Sequence, residues 1–284
     1  MRKILPALAA CLLSAAPALA QGPAYHVMRM PGAVRTPAAG TMLYYGGPVI
    51  SAVRIQVVFW GAGVAPATVT GVEPFLAAMA NSTFTDQLGQ YSTKGIVGVN
   101  GKPGTNQIIK RGTSLPAIKI TPKNTATRLT DAAVQSELLH QITIGKLPQK
   151  TPNTLYMVYF PAKDVITLGG LTSCQQFGAY HEATPGKVGT SNLFYGIMPD
   201  CGGGFPEITV VSSHEFAEAI SDAIPTPGSH PAFPQAWNTS GGSEIGDLCE
   251  GSNATLTAGA TTYTVQEEFD AKTNACATGN YTSP

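Results

Sequence analysis

The segment His214-Glu215-Phe216-Ala217-Glu218 sets an imidazole and two carboxylates within five residues. On an α-helix, residues three or four apart share a face, so His214 and Glu218 can grip one ion from adjacent turns with Glu215 beside them. In that arrangement the outer pair are ligands, and Glu215 is the general base that takes the proton of an attacking water. A third ligand has to come from elsewhere. Glu244 and Asp247, in Glu244-Ile245-Gly246-Asp247-Leu248-Cys249, are the candidates, and their three-residue step puts both on one face if that segment is helical. His181 is the other histidine assigned to the site, as a ligand or as a group that stabilises an oxyanion.

The pattern is H-E-x-x-E where zinc peptidases carry H-E-x-x-H. Zinc held by one His and two carboxylates has no net site charge, so it is a weaker Lewis acid than zinc held by two His and one carboxylate. Calcium tolerates a carboxylate-rich set better than a two-His set, so zinc and calcium both stay open. The apolar neighbours Val210, Val211, Phe216, Ala217 and Ile220 predict a partly buried motif, and buried carboxylates need partners. A core salt-bridge cluster is the structural alternative to a metal site. No Met follows Met198, so a Met-turn is absent. Hydrolase-elbow, P-loop and dinucleotide fingerprints are absent too.

The elements that must position these residues predict an α/β (α+β) fold, a single domain with a mixed sheet and packed helices. Ile50 to Trp60 alternates Val53, Ile55, Val57 and Phe59 with Arg54 and Gln56, the period of a strand. Helices are expected over Pro66 to Ala80, Thr83 to Tyr91, Ala132 to Ile144 with Thr130 as N-cap, and Glu207 to Ser221. Leu155 to Phe160 and Leu193 to Met198 read as buried strands. Gly95 to Thr127 is expected to be a meander or an edge region, and Cys174 to Glu182 a loop. His140 is expected at the surface and Trp237 in packing.

Arg2 and Lys3, an apolar run from Ile4 to Leu19, and Ala18-Leu19-Ala20 before Gln21 read as a signal peptide over 1–20. Leu8-Ala9-Ala10-Cys11 offers a competing lipoprotein box, set too early in the chain. A Pro- and Ala-rich leader follows over 21–41, extended or disordered, and 42–284 is the folded domain. No later stretch is apolar enough to span a bilayer. The 17 basic and 17 acidic residues cancel, so charge names neither nucleic acid nor a lipid surface as partner. A peptide or protein substrate is the expectation, and the oligomeric state is open. After Cys11, the residues Cys174, Cys201, Cys249 and Cys276 form an even set, which reads as two disulfides in an oxidising compartment. Of three connectivities, pairing neighbours in sequence is expected. A zinc site built from the four cysteines lacks C-x-x-C spacing, and a disulfide at Cys174 argues against a Cys174–His181 nucleophilic pair.

Several blocks together resemble the EXORDIUM or phosphate-induced protein 1 family. They are Tyr45-Gly46-Gly47-Pro48-Val49, Trp60-Gly61, Cys174 with Tyr180-His181, Cys201, His214 to Glu218, Ala236-Trp237, and Glu244 to Glu250. The match runs discontinuously from Met42 to Cys249. Phe216, Ser221-Asp222-Ala223 and a Pro-rich insert around Pro225 to Pro234 depart from the plant pattern without removing a candidate ligand. The resemblance implies a secreted or periplasmic protein, tied in plants to growth and cell-wall responses. It implies no established catalytic activity, and, through the His214 to Glu218 helix, a distant likeness to zincins and with it a zincin-like metallopeptidase architecture.

Overall fold

The computed structural model describes residues 25–30, 40–99, 101–184, 192–225 and 231–284. The predicted signal peptide with Cys11, most of the leader, and the centre of the Pro-rich insert lie outside the described residues. In chain order the strands are β1 (Met28–Arg29), β2 (Leu43–Tyr44), β3 (Ala52–Trp60), β4 (Lys110–Ile120), β5 (Arg128–Thr130), β6 (Thr154–Tyr159), β7 (Val165–Leu168) and β8 (Leu171–Thr172). They continue with β9 (Phe177–Thr184), β10 (Leu193–Met198), β11 (Trp237–Asn238), β12 (Asn253–Ala258), β13 (Thr261–Gln266), β14 (Phe269–Asp270), β15 (Ala275–Cys276) and β16 (Asn280–Ser283). The helices are α1 (Pro66–Ala80), α2 (Thr83–Leu88), α3 (Asp131–Thr143) and α4 (Gly204–Ser221).

The main sheet has the order β1-β9-β10-β6-β3-β4. The four strands from β10 to β4 are parallel, and β9 and β1 run antiparallel at one edge. The fold is mixed α/β. Side chains alternate across each strand. Ile55, Val57 and Phe59 of β3, with Leu155, Met157 and Tyr159 of β6, therefore enter a core shared with α1 and α4. Val58 and Trp60, with Tyr156, Val158 and Phe160, enter a second core against Val134, Leu138 and Ile142 of α3. Both faces are covered, which is why β6 and β10 read as unbroken apolar runs. Thr130 caps α3 by accepting from Ala133 N–H at 3.2 Å, as its sequence predicts.

Three expectations are corrected, and one pair of alternatives is decided. Gly95 to Thr127 is an edge region: among the described residues it holds β4, of 11 residues, paired parallel to β3 at the end of the main sheet. Its Gly and Pro sit at an edge, where a missing ladder donor is tolerated. The Cys174 to Glu182 loop is mostly strand β9, whose pairing with β10 no local period announces. Part of the expected leader is ordered: Met28 and Arg29 pair with Ala179 and Phe177 of β9, and Met28 is buried. Finally, Glu244 and Asp247 do not share a helix, because Asp247 to Cys249 is a single 3-10 turn and Glu244 precedes it in a loop.

The two disulfides join Cys174 to Cys201 and Cys249 to Cys276, the sequential pairing. The first ties the approach to β9 to the turn that opens α4. The second ties the Glu244 to Cys249 segment to β15. Trp237 packs between Tyr44 and Tyr91, with ring centroids 5.3 and 5.7 Å away.

Candidate metal centre

Helix α4 lies across the β9–β10 end of the sheet, and it is buried along nearly its whole second half. Ala179 and His181 alternate with Tyr180 along β9, so His181 faces α4 while Tyr180 turns to α3, donating to Asp131 at 2.8 Å. The consequence is a meeting of helix and strand. His181 Nδ1 stands 3.2 Å from Glu215 Oε2 and 3.6 Å from Glu218 Oε2. These three side chains form one group of possible metal donors, and His214, Glu218 and Asp247 form another, with donor atoms within 4.8 Å of each other in each group.

The ring of His181 is oriented from outside the cluster. Its Nε2 lies 3.1 Å from the carbonyl oxygen of Asp222, which can only accept, so the ring proton belongs on Nε2. Nδ1 then faces two carboxylate oxygens, which either a second ring proton or a bound cation satisfies. Asp222 is itself fixed by Ala236 N–H, at 2.8 Å, and by the Asn238 amide.

Around His214 the fit is close. Its Nε2 is 3.2 Å from Glu218 Oε2, and the other oxygen of Glu218 accepts from Asp247 N–H at 3.1 Å. Gly246 passes so near that a Cβ there would come within 2.6 Å of His214 Nδ1 and 2.9 Å of Glu218 Oε1. Gln266, at the end of β13, places its Nε2 2.8 Å from His214 Nδ1 and 2.9 Å from the Gly246 carbonyl.

Glu244 reaches the same cluster from the other side. Its Oε1 is 3.6 Å from His181 Nε2, and its Oε2 is 3.0 Å from Nδ1 of His26, in the segment that continues into β1. Sequence reasoning missed three residues here. His26 lies in a stretch with no period, Gln266 ends an ordinary strand, and Glu268 follows it. Nothing in their spacing signals a site.

The electrostatics follow from burial. Glu215, Glu218, Glu244 and Glu268 are 0–2% exposed, with Asp247 beside them at the cluster's edge. Burial raises the pKa of Glu215, opposed by His181. Burial and then the Glu218 charge push Asp247 up to about 7 and Glu244 well above the carboxylate range. Burial likewise raises Glu268, against the pull of His214. Burial would raise Glu218 as well, but His214 and His181 hold it below its usual value. For His181, burial lowers the pKa, but Glu215 and Glu218 lift it to about 8. His214 is likewise raised by Glu218 against burial. His26 is lowered to about 4, chiefly by burial. The cluster carries more carboxylate than its histidines neutralise.

Several of these groups are also idle. His214 Nε2, Glu215 Oε1, both oxygens of Glu244 and both of Glu268 are buried without an aligned hydrogen-bond partner. Such atoms cost about 1–3 kcal/mol each when left unpaired. Two donors about 2.1 Å from one tetrahedral ion stand about 3.4 Å apart, whereas a charge-assisted N–H···O bond is about 2.8 Å. The 3.2 Å between His181 Nδ1 and Glu215 Oε2 is a hydrogen bond, and at 3.2 and 3.6 Å the two glutamates also stand at the spacing of the edges of a coordination shell. The residues fit a divalent ion. No family model, curated protein or solved structure matches the chain.

Proposed function

We propose that this is an exported, metal-dependent hydrolase, most directly a peptidase, with zinc held by His181, Glu215 and Glu218. The observation that carries the reading is the lone pair of His181 Nδ1, fixed by the Asp222 carbonyl and aimed at two buried carboxylates. An imidazole whose other nitrogen donates to a backbone carbonyl is the usual preparation of a metal ligand. When bound, the ion supplies Lewis acidity toward a carbonyl oxygen and acidifies water. Glu215, expected from its place in H-E-x-x-E to be the base, stands in a ligand's position. Glu244, kept protonated by burial and set beside His26, is the carboxyl placed to give a proton to the leaving group. A nitrogen donor favours zinc over calcium.

Loading the purified full chain with zinc and assaying peptide hydrolysis with and without chelator tests this reading. Chelator-sensitive cleavage that is abolished in Glu244→Gln, with zinc retained, is the expected result. A chain that takes up no divalent ion sinks the proposal. The burial of every donor also favours a second reading, in which the ion is structural in a binding or cell-wall-associated protein. In that case chelation lowers the melting temperature while no substrate is cleaved.

The kinship proposed alongside is with the EXORDIUM group, and it rests on the blocks from Tyr45 to Glu250 named above. Export is supported by the two disulfides, which persist in an oxidising compartment. Recovery of the chain from the cell interior with Arg2 and Lys3 still attached would count against export.

A further inference from the structure

One oxygen, Glu218 Oε2, is shared by two imidazoles. It lies 3.6 Å from His181 Nδ1 and 3.2 Å from His214 Nε2. Each ring belongs to its own donor group, His181 with Glu215 and Glu218, and His214 with Glu218 and Asp247. We propose that the centre holds two divalent ions bridged by the Glu218 carboxylate, the second held by His214, Glu218 and Asp247. This inference rests on the reading of the first group as a metal site.

Charge is the first argument. Glu215, Glu218, Glu244, Asp247 and Glu268 are five carboxylates in one buried neighbourhood, and none forms an ion pair with Lys or Arg among the described residues. Burial keeps Glu244 and Glu268 protonated, so the charge to be offset is that of Glu215, Glu218 and Asp247. One divalent ion leaves one of these three charges uncompensated, and the effective penalty of burying such a charge is several kcal/mol.

Geometry is the second. In two-metal sites the ions lie about 3.5–4 Å apart, a distance that one carboxylate spans. Glu218 is held for that task, because Asp247 N–H fixes its Oε1 while Oε2 points between the rings. Asp247, brought next to both by the turn at Gly246, is oriented by Glu244 N–H, which donates to its Oδ2 at 3.1 Å. His214 Nε2, which would face the second ion, is buried with no hydrogen-bond partner.

Gln266 decides the state of that ring. With its amide nitrogen toward Nδ1, the ring proton sits on Nε2, and Gln266 Oε1 is left buried and unpartnered. A half-turn of the amide exchanges nitrogen and oxygen without moving the other atoms. Oε1 then accepts the Nδ1 proton, and Nε2 is free to bind an ion, at the expense of the bond to the Gly246 carbonyl. Mixed imidazole and carboxylate donors suit zinc or manganese.

The test is the number of ions per chain, by elemental analysis and native mass spectrometry on full chain dialysed against zinc or manganese. Two ions are expected in the wild type. Glu218→Gln should lose both, whereas Asp247→Asn and His181→Ala should each keep one. The manganese-loaded wild type should give the paramagnetic resonance spectrum of an exchange-coupled pair, a readout that needs no variant to fold. Saturation at one ion with an uncoupled manganese signal overturns the inference while leaving a one-metal hydrolase standing. Uptake of no ion removes both.

Discussion

At the residue scale, the site depends on how little space separates its parts. Gly246 is the clearest case. Any Cβ there would meet His214 Nδ1 at 2.6 Å, and neither ring nor helix can retreat from a buried position. Gly246→Ala should therefore destabilise the protein by about 1–3 kcal/mol, as overpacked cores do, and weaken metal uptake. Thermal unfolding and metal titration of the same sample measure the two effects. A variant as stable as the wild type, with unchanged affinity, would show that the loop is free to move. Glu215→Gln, by contrast, should leave the fold in place but reduce zinc affinity at least tenfold, because an amide is a poor substitute for a ligating carboxylate. If Glu215 were only a general base, zinc affinity would be unchanged and hydrolysis alone would fall.

The second scale is that of the elements, where α4 carries the burden. Its apolar residues, Phe216 among them, pack against the sheet, with Phe84 of α2 6.3 Å from Phe216 between ring centroids. That packing sets the rotation of the helix about its axis, and so the direction of His214, Glu215 and Glu218. Phe216→Ala should cost about 3–5 kcal/mol. A melting shift much smaller than this would mean that α4 is held mainly by its polar cluster. Sequence spacing revealed α4 and its donors, because a helix brings residues three and four apart together by local geometry alone. It did not reveal β9. The register that sets His181 opposite Gly196 depends on a partner strand 15 residues away in sequence, and on the α4 face above it.

For the whole molecule, the disulfides act as braces at two corners of the site. Each closes a separation of 27 residues, and loop-closure entropy alone gives about 3–4 kcal/mol for such a loop. Replacing Cys249 and Cys276 together by Ser should lower stability by about that amount and weaken metal retention, since the Glu244 to Cys249 segment loses its anchor. Denaturant titration with a parallel zinc assay would detect both. Retained zinc in a destabilised variant would confine the brace to the C-terminal strands. Metal binding should itself stabilise the folded chain, by about 2.7 kcal/mol at a free ion concentration 100 times Kd. The sign with pH follows from the ligands: acid protonates imidazole and carboxylate alike, so the gain from metal should vanish as pH falls and grow as pH rises through about 8, where His181 loses its proton. A metal-induced rise in melting temperature that grew toward acid pH would contradict a His and Glu site.

What the sequence determined by itself was local or compositional. The periods of β3, α1 and α3 were legible because amphipathic spacing records which face is buried, and β6 and β10 were legible as short unbroken apolar runs. That the four cysteines form two disulfides was legible, but which of three connectivities they take was decided by the fold. The tertiary structure alone decided how His181, Glu244, Asp247 and His26 meet the α4 donors, and it added Gln266 and Glu268. These residues come from a strand edge, a loop, a turn and an N-terminal segment, and no short-range rule couples their positions. Contacts between distant segments are fixed by sheet order and by the filling of a shared core, and both are properties of the whole chain.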